Sequence, residues 1–101
     1  RNVETIVDLA RARGIRPVLA TLPHGTDAQL PFVEMAPEIE RFAAELRAIA
    51  MERADDVVFV DLAATWPDRP EWFKDVGHLT DAGIAHKAEQ IGHAVLDALR
   101  R

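Results

Sequence analysis

The segment "DVVFVDL", from Asp56 to Leu62, decides the fold that this sequence predicts. It places four consecutive apolar residues, valines and a phenylalanine, between two acidic residues. β-Branched and aromatic residues favour strands, and an uninterrupted apolar run is typical of a parallel strand that is buried on both faces. The segment therefore predicts a strand inside a parallel sheet, and parallel strands must be joined by crossover connections that are usually helical.

The segments before this strand supply such a crossover and a second strand. After Pro37, which suits the first turn of a helix, apolar residues hold helical spacing, and the pattern extends as far as Arg53. The run "RPVLAT", Arg16–Thr21, predicts the second strand. Ahead of it, Gly14 is positioned to end a further helix, whose apolar stripe is Val3, Ile6, Val7 and Ala10.

The segment after the strand predicts a long connection and a final helix. Thr80 is suited to cap that helix, with Asp81 in its first turn. Its predicted buried stripe is Ile84, Ala88, Ile91, Val95 and Leu99. The order helix–strand–helix–strand–helix predicts an α/β domain with a parallel sheet, which follows from alternation at this spacing.

Two strands are few for a parallel sheet, because sheets commonly contain about five or more strands. We therefore expect residues 1–101 to be the C-terminal part of a single domain whose earlier strands precede Arg1. The alternative is a minimal domain that dimerises through its open sheet edge. The oligomeric state is left open by the sequence.

Composition narrows the possible functions. The 101 residues are 49% hydrophobic and 29% charged, as in ordinary globular domains. The formal net charge of −5 argues against a nucleic-acid partner, because such binding relies on clustered Lys and Arg. The absence of Cys excludes disulfides and thiolate chemistry in these residues. No apolar run approaches the roughly 20 residues that cross a bilayer, so no membrane span is expected.

The stretch "FKDVGHLTDAG", Phe73–Gly83, carries the clearest candidate for chemistry. Asp75 and His78 are three residues apart. In a tight turn, this spacing allows the carboxylate to accept from imidazole Nδ1, which leaves Nε2 able to take a proton from a hydroxyl nucleophile. The alternative is that both residues are solvated turn and cap residues.

The other three histidines can be interpreted as structural or as functional residues from the sequence alone. His24 follows the first strand and is either a pocket-rim residue or a plain loop residue. His86 and His93 lie on one face of the last helix and are expected to be exposed. No ligand spacing supports a metal site built from His24, Asp75 and His78, so neither a metal nor a cofactor is expected.

An aromatic cluster precedes Asp75 in the long connection. Trp66, Trp72 and Phe73 could form the wall of an acyl or sugar pocket, or they could pin the connection to the core.

The block "DVGHLTDAG" resembles the last conserved block of the SGNH hydrolases, the GDSL-type esterases and lipases, which carries D-x-x-H before a helix. The stretches "ETIVDLARARGIRPVLATLP" and "RFAAELRAIAMERADDVVFVDL" are similar to the helix–strand units that precede that block. The resemblance extends over nearly the whole chain, and its one sharp motif is Asp75 with His78. It implies a three-layer α/β/α, flavodoxin-like fold.

The resemblance also implies a serine esterase in which His78 is the general base and acid and Asp75 orients it. The substrate would be a small ester, an acyl-lipid or an O-acylated sugar. The family's nucleophile and oxyanion-hole blocks are not found here, since the chain has no Ser and its one Asn, Asn2, lies in a helical pattern. These residues alone are therefore expected to be inactive. The alternative function is a non-catalytic or degenerate α/β binding domain.

Overall fold

Helices and strands alternate along the chain in the predicted order. The computed structural model describes residues 2–101. Within this range the strands are β1 (Val18–Ala20) and β2 (Val58–Val60), and the helices are α1 (Asn2–Ala12), α2 (Ala36–Glu52), α3 (Leu62–Thr65) and α4 (Asp81–Leu99). Short 3-10 turns occur at Val33–Met35 and Pro70–Trp72. The predicted long connection between β2 and α4 thus contains α3 and the turn at Pro70–Trp72.

The two strands pair in parallel, as predicted. Leu19 lies opposite Phe59 in the register, and the backbone N–H of Thr21 donates to the carbonyl of Val60 over 3.1 Å. Because the carboxyl ends of parallel strands lie at the same edge, Thr21 after β1 and Asp61 after β2 become neighbours. In the described part of the chain the sheet has only these two strands.

The hydrophobic core joins both early helices to the sheet. Val7 on α1, Ala50 on α2 and Val57 before β2 form a buried cluster, against which Leu19 and Phe59 pack. Full burial of a valine side chain, such as that of Val7, contributes about 1.5–3 kcal/mol. The apolar spacing in α1 and α2 therefore places these helices on the sheet, and α4 contacts β2.

The helix ends follow the predicted local chemistry. Gly14 has φ of 73° after the end of α1, a conformation that glycine adopts without the steric cost of a Cβ atom. Pro37 lies in the first turn of α2. The hydroxyl of Thr80 accepts a hydrogen bond from the backbone N–H of Gly83 over 3.4 Å and so caps α4.

The prediction of a buried stripe on α4 is wrong at three of its five positions. Ile84 is 52% exposed and Leu99 is 77% exposed. Ala88 is also exposed, whereas Ile91 and Val95 are half-buried. The reason is geometric: in the described residues, the main contacts of α4 are with β2 and with the turn that contains Trp72, and these do not cover the whole stripe.

Candidate active site

The turn at the end of the long connection between β2 and α4 brings Asp75 and His78 into contact. His78 Nδ1 lies 2.9 Å from Asp75 Oδ1 and 3.0 Å from Oδ2. The backbone N–H groups of Gly77 and His78 also donate to Asp75 Oδ1, over 2.9 and 2.8 Å. The carboxylate is therefore held by the turn itself, and the imidazole meets a preorganised partner.

This hydrogen bonding has an electrostatic consequence for Asp75. Donation from the Gly77 backbone N–H, followed by the side chain of His78, holds the pKa of the Asp75 carboxyl below its ordinary value. A carboxylate that stays ionised can stabilise a positively charged imidazolium beside it. The His78 side chain is 81% exposed, so Nε2, on the ring side away from Asp75, is accessible to a reacting group.

The neighbouring backbone fixes the position of the turn. Phe73 and Leu79 form an antiparallel bridge at its base. Val76, only 3% exposed, accepts from the backbone N–H of Gly25 over 3.0 Å and donates to the carbonyl of Pro31 over 3.0 Å. The turn is thus attached to the loop that follows β1, and this attachment could not be read from the sequence.

Gly83 sets the distance between this turn and α4. A Cβ atom at Gly83 would lie 2.7 Å from the Trp72 carbonyl oxygen and 3.1 Å from Leu79 Cβ. Only glycine allows the helix to approach this closely without displacement of the backbone. Gly83 therefore contributes to the placement of His78, which lies five residues earlier on the same segment.

An open groove runs from the turn along α4. Its volume is about 830 Å³, and its lining combines Asp75 and His78 with Ile84, Ala88 and Ile91. Part of the stripe that was predicted to be buried thus lines a groove beside the His–Asp pair.

A polar network connects the residues that follow the carboxyl ends of both strands. Thr21, fully buried, donates from Oγ1 to Asp61 Oδ1 over 2.8 Å. Arg47 on α2 donates to Asp61 from Nε over 2.7 Å and from Nη2 over 3.2 Å, and to Glu40 from Nη1 over 2.8 Å. Glu40 Oε2 in turn lies 3.4 Å from His24 Nε2.

The Arg47 guanidinium is the main cause of perturbed carboxyl pKa values in this network. Its hydrogen bonds hold the pKa of both Asp61 and Glu40 below the ordinary range. The sequence shows that Thr21 and Asp61 follow the two strands, but it gives no signal that Arg47 reaches them from α2.

The structure separates the four histidines. His24 is half-buried beside Glu40, and His93 is exposed as predicted. The prediction that His86 is exposed is wrong, because its ring packs 5.0 Å from that of Trp66 and 4.9 Å from that of Trp72. The described residues 2–101 contain no group of three or more potential ligands that could hold a metal ion.

The aromatic cluster borders a second concavity, which we term the tryptophan cavity. It has a volume of about 240 Å³, and its lining includes His24, Gly25, Trp66, Pro67, Pro70 and Phe73. Trp66 lies 5.9 Å from Trp72 in an edge-to-face arrangement and 6.2 Å from Phe73, measured between ring centroids. The cluster thus fastens the connection and also forms a cavity wall.

Three of the threonine hydroxyls are already engaged in hydrogen bonds, and that of Thr65 donates to the carbonyl of Asp61 over 3.2 Å. Thr21 is buried in the polar network, and Thr80 caps α4.

Within residues 2–101, no helix is both long enough and apolar enough to cross a membrane. Comparisons with protein-family models, curated proteins and solved structures found no match for this chain.

Proposed function

We propose that this chain supplies the base-and-orienter half of an SGNH-type serine esterase. The observation that carries the proposal is the contact of 2.9 Å between Asp75 Oδ1 and His78 Nδ1, with the imidazole otherwise exposed. A carboxylate on Nδ1 fixes the tautomer in which Nε2 accepts a proton, which is the protonation state that a general base requires.

The proposed mechanism has two steps. His78 Nε2 takes the proton of a serine hydroxyl as its oxygen attacks the ester carbonyl, and Asp75 stabilises the imidazolium that results. His78 then donates that proton to the leaving alcohol, and an acyl-enzyme forms. In the second step His78 takes a proton from water as the water attacks the acyl-enzyme, and it then gives that proton to the serine oxygen, which leaves as the carboxylic acid is released.

The proposal requires groups that these 101 residues do not contain. The nucleophile must be a serine outside this chain, since the chain has no Ser. Backbone N–H or amide donors for the oxyanion must come from the same region. By itself the 101-residue chain should therefore not hydrolyse esters.

We also infer that β1 and β2 belong to a larger, flavodoxin-like sheet with helices on both faces. Parallel pairing supports this inference, since parallel sheets are normally covered on both faces. Apolar side chains around β1 support it too: Val18 is 39% exposed, Ile15 54% and Leu22 44%. Additional strands would cover these residues.

The test uses the full-length protein in which this chain occurs, assayed with p-nitrophenyl acetate and a serine-reactive fluorophosphonate. We expect His78→Ala to lower kcat by about 10³-fold or more, as removal of the base does in serine hydrolases. His93→Ala, which alters an exposed histidine on α4, is the matched control and should retain activity. Unchanged hydrolysis in His78→Ala would show that the assigned base is wrong.

The second candidate function is a non-catalytic α/β binding domain. The lack of any Ser in the chain favours it. The cavity next to the turn favours it too, because a binding domain needs a cavity and does not need a nucleophile. The fluorophosphonate experiment separates the two candidates, because a binding domain would remain unlabelled in the full-length protein.

A further inference from the structure

The tryptophan cavity has walls made of flat apolar rings. Trp66 and Phe73 contribute aromatic rings, and Pro67 and Pro70 contribute pyrrolidine rings. Phe73 is only 8% exposed, and the contacts of Trp66 with Trp72 and His86 hold the indole in place. These side chains are already held in place, so the protein loses little side-chain entropy when a compact ligand binds to them.

Polar groups lie around the same cavity. Asp68 and Arg69, both exposed, border it together with His24 and Thr26. An acceptor and a donor are therefore adjacent in sequence at one edge. Trp66 adds a buried Nε1 without a hydrogen-bond partner among the described residues.

The cavity is small. Its volume of about 240 Å³ lies below the about 300–1,000 Å³ of sites for drug-sized ligands. It therefore suits a ligand of one ring and excludes an extended acyl chain of many carbons. Flat walls and a polar border together favour a ligand with an apolar face and polar edges.

An anionic ligand does not fit these charges. Arg69 lies 3.7 Å from Glu71 and its guanidinium stacks 5.4 Å above the Trp72 ring, so its charge is already partnered. Asp68 beside it would repel an anion. An acyl group makes less use of this border, because it carries fewer hydrogen-bonding groups than a ligand with several hydroxyls.

A sugar ring satisfies both features. Its C–H groups carry a slight positive charge and pack on the negative faces of aromatic rings. Its hydroxyl groups both donate and accept, so they can donate to Asp68 and accept from Arg69. We propose that the tryptophan cavity binds a single neutral monosaccharide unit.

The cavity also lies beside the His–Asp turn. The backbone N–H of Gly25, in its wall, donates to Val76 between Asp75 and His78, over 3.0 Å. Phe73 precedes Asp75 by two residues. Where the proposed esterase function holds, on which this step alone rests, the bound sugar is the alcohol portion of the ester, and the substrate is an O-acylated saccharide.

Binding is tested directly on the full chain by ¹H–¹⁵N NMR, with the Trp66 indole N–H as reporter. The probes are glucose, xylose and N-acetylglucosamine, with butyrate and inorganic phosphate as comparisons. We expect at least one sugar to shift the Trp66 indole signal in a saturable manner, and butyrate and phosphate to leave it in place. Absence of a saturable shift with all three sugars overturns the proposal, as does saturable binding of butyrate or phosphate alone.

Variants locate the binding and guard against unfolding. Asp68→Ala alters an exposed residue and should weaken the affinity roughly two- to tenfold, the range expected for one hydrogen bond. Asp55→Ala, an exposed residue of the turn before β2, is the matched control and should bind as the wild type does. Equal affinity in Asp68→Ala and wild type would overturn the assignment of the site.

The variant His78→Ala makes the two proposals separable. It should bind the sugar as the wild type does, because His78 is not part of the cavity lining. Sugar binding without hydrolysis by the full-length protein would overturn the esterase proposal and leave the cavity proposal standing. Hydrolysis of p-nitrophenyl acetate without sugar binding would do the reverse.

Discussion

Asp75 Oδ1 contacts His78 Nδ1 at 2.9 Å while it also accepts the backbone N–H groups of Gly77 and His78. One oxygen therefore holds both the turn and the imidazole. The two backbone donors hold the carboxylate in place beside the imidazole. The same arrangement makes the turn sensitive to protonation of the carboxyl.

The first prediction is that acid weakens the turn through Asp75. Its pKa is lower in the fold than the unfolded value of about 3.9, chiefly because of the Gly77 N–H. A carboxyl whose pKa is lowered in the fold stabilises the fold at pH values above its unfolded-state pKa. This contribution is lost as pH falls through the folded-state pKa. Asp75→Asn should thus lose less stability than the wild type between neutral pH and pH values below about 4.

Urea unfolding at a series of pH values measures this difference. The variant Asp55→Asn, which changes an exposed carboxylate outside the turn, controls for the loss of one charge. Parallel curves for Asp75→Asn and wild type across the acid range would contradict the prediction.

The second prediction concerns Arg47, which joins α2 to the carboxyl ends of the strands. Because its guanidinium is the main cause of the lowered pKa of Asp61 and Glu40, Arg47→Met should raise both pKa values. At pH values above their unfolded-state pKa values, about 3.9 for Asp61 and about 4.3 for Glu40, both carboxylates stabilise the fold. This contribution is lost as pH falls through the lower pKa values of the folded state. The variant should therefore be destabilised at pH 7 and less so in acid.

Arg47→Lys distinguishes charge from geometry in this network. Lysine keeps the positive charge but cannot reproduce the two contacts of Arg47 with Asp61. We expect its stability at pH 7, measured by urea unfolding, to lie between wild type and Arg47→Met. A Lys variant as stable as the wild type would show that the fork geometry is unimportant.

The third prediction tests the buried hydroxyl of Thr21. Oγ1 donates to Asp61 and accepts from the backbone N–H of Ala63 over 2.9 Å, in a side chain that is fully buried. Thr21→Val keeps the shape and leaves both partners without this hydrogen bond. It should lower the free energy of unfolding by about 1–3 kcal/mol. Thr26→Val, at an exposed position, should cost less than about 0.5 kcal/mol, and equal losses would contradict the prediction.

The sequence predicts the fold where local chemistry decides it. The run from Val57 to Val60, the glycine after α1 and the cap at Thr80 each specify structure within a few residues, and each prediction is confirmed. The stripe of α4 fails because burial depends on the size of the opposing surface. Periodicity identifies an apolar face of a helix but does not indicate what covers that face.

The candidate site divides in the same manner. Asp75 and His78 are three residues apart, so their contact follows from one turn and could be expected. His86 was misjudged because its partners, Trp66 and Trp72, are brought to it by a long connection. Arg47 was missed for the same reason: its carboxylate partner Asp61 lies 14 residues away along the chain, beyond an intervening strand.

The last prediction compares two glycines of α4. Gly83→Ala places Cβ 2.7 Å from the Trp72 carbonyl oxygen, which is backbone and cannot rotate away. The expected loss is about 1–3 kcal/mol of unfolding free energy, as for overpacking. Gly92→Ala meets nothing within 4 Å and should instead stabilise the helix by about 0.5–1 kcal/mol. Urea unfolding measures both, and NMR of the His78 ring reports whether Gly83→Ala also displaces the turn. Equal effects of the two substitutions would show that the close approach of α4 to Trp72 does not position the site.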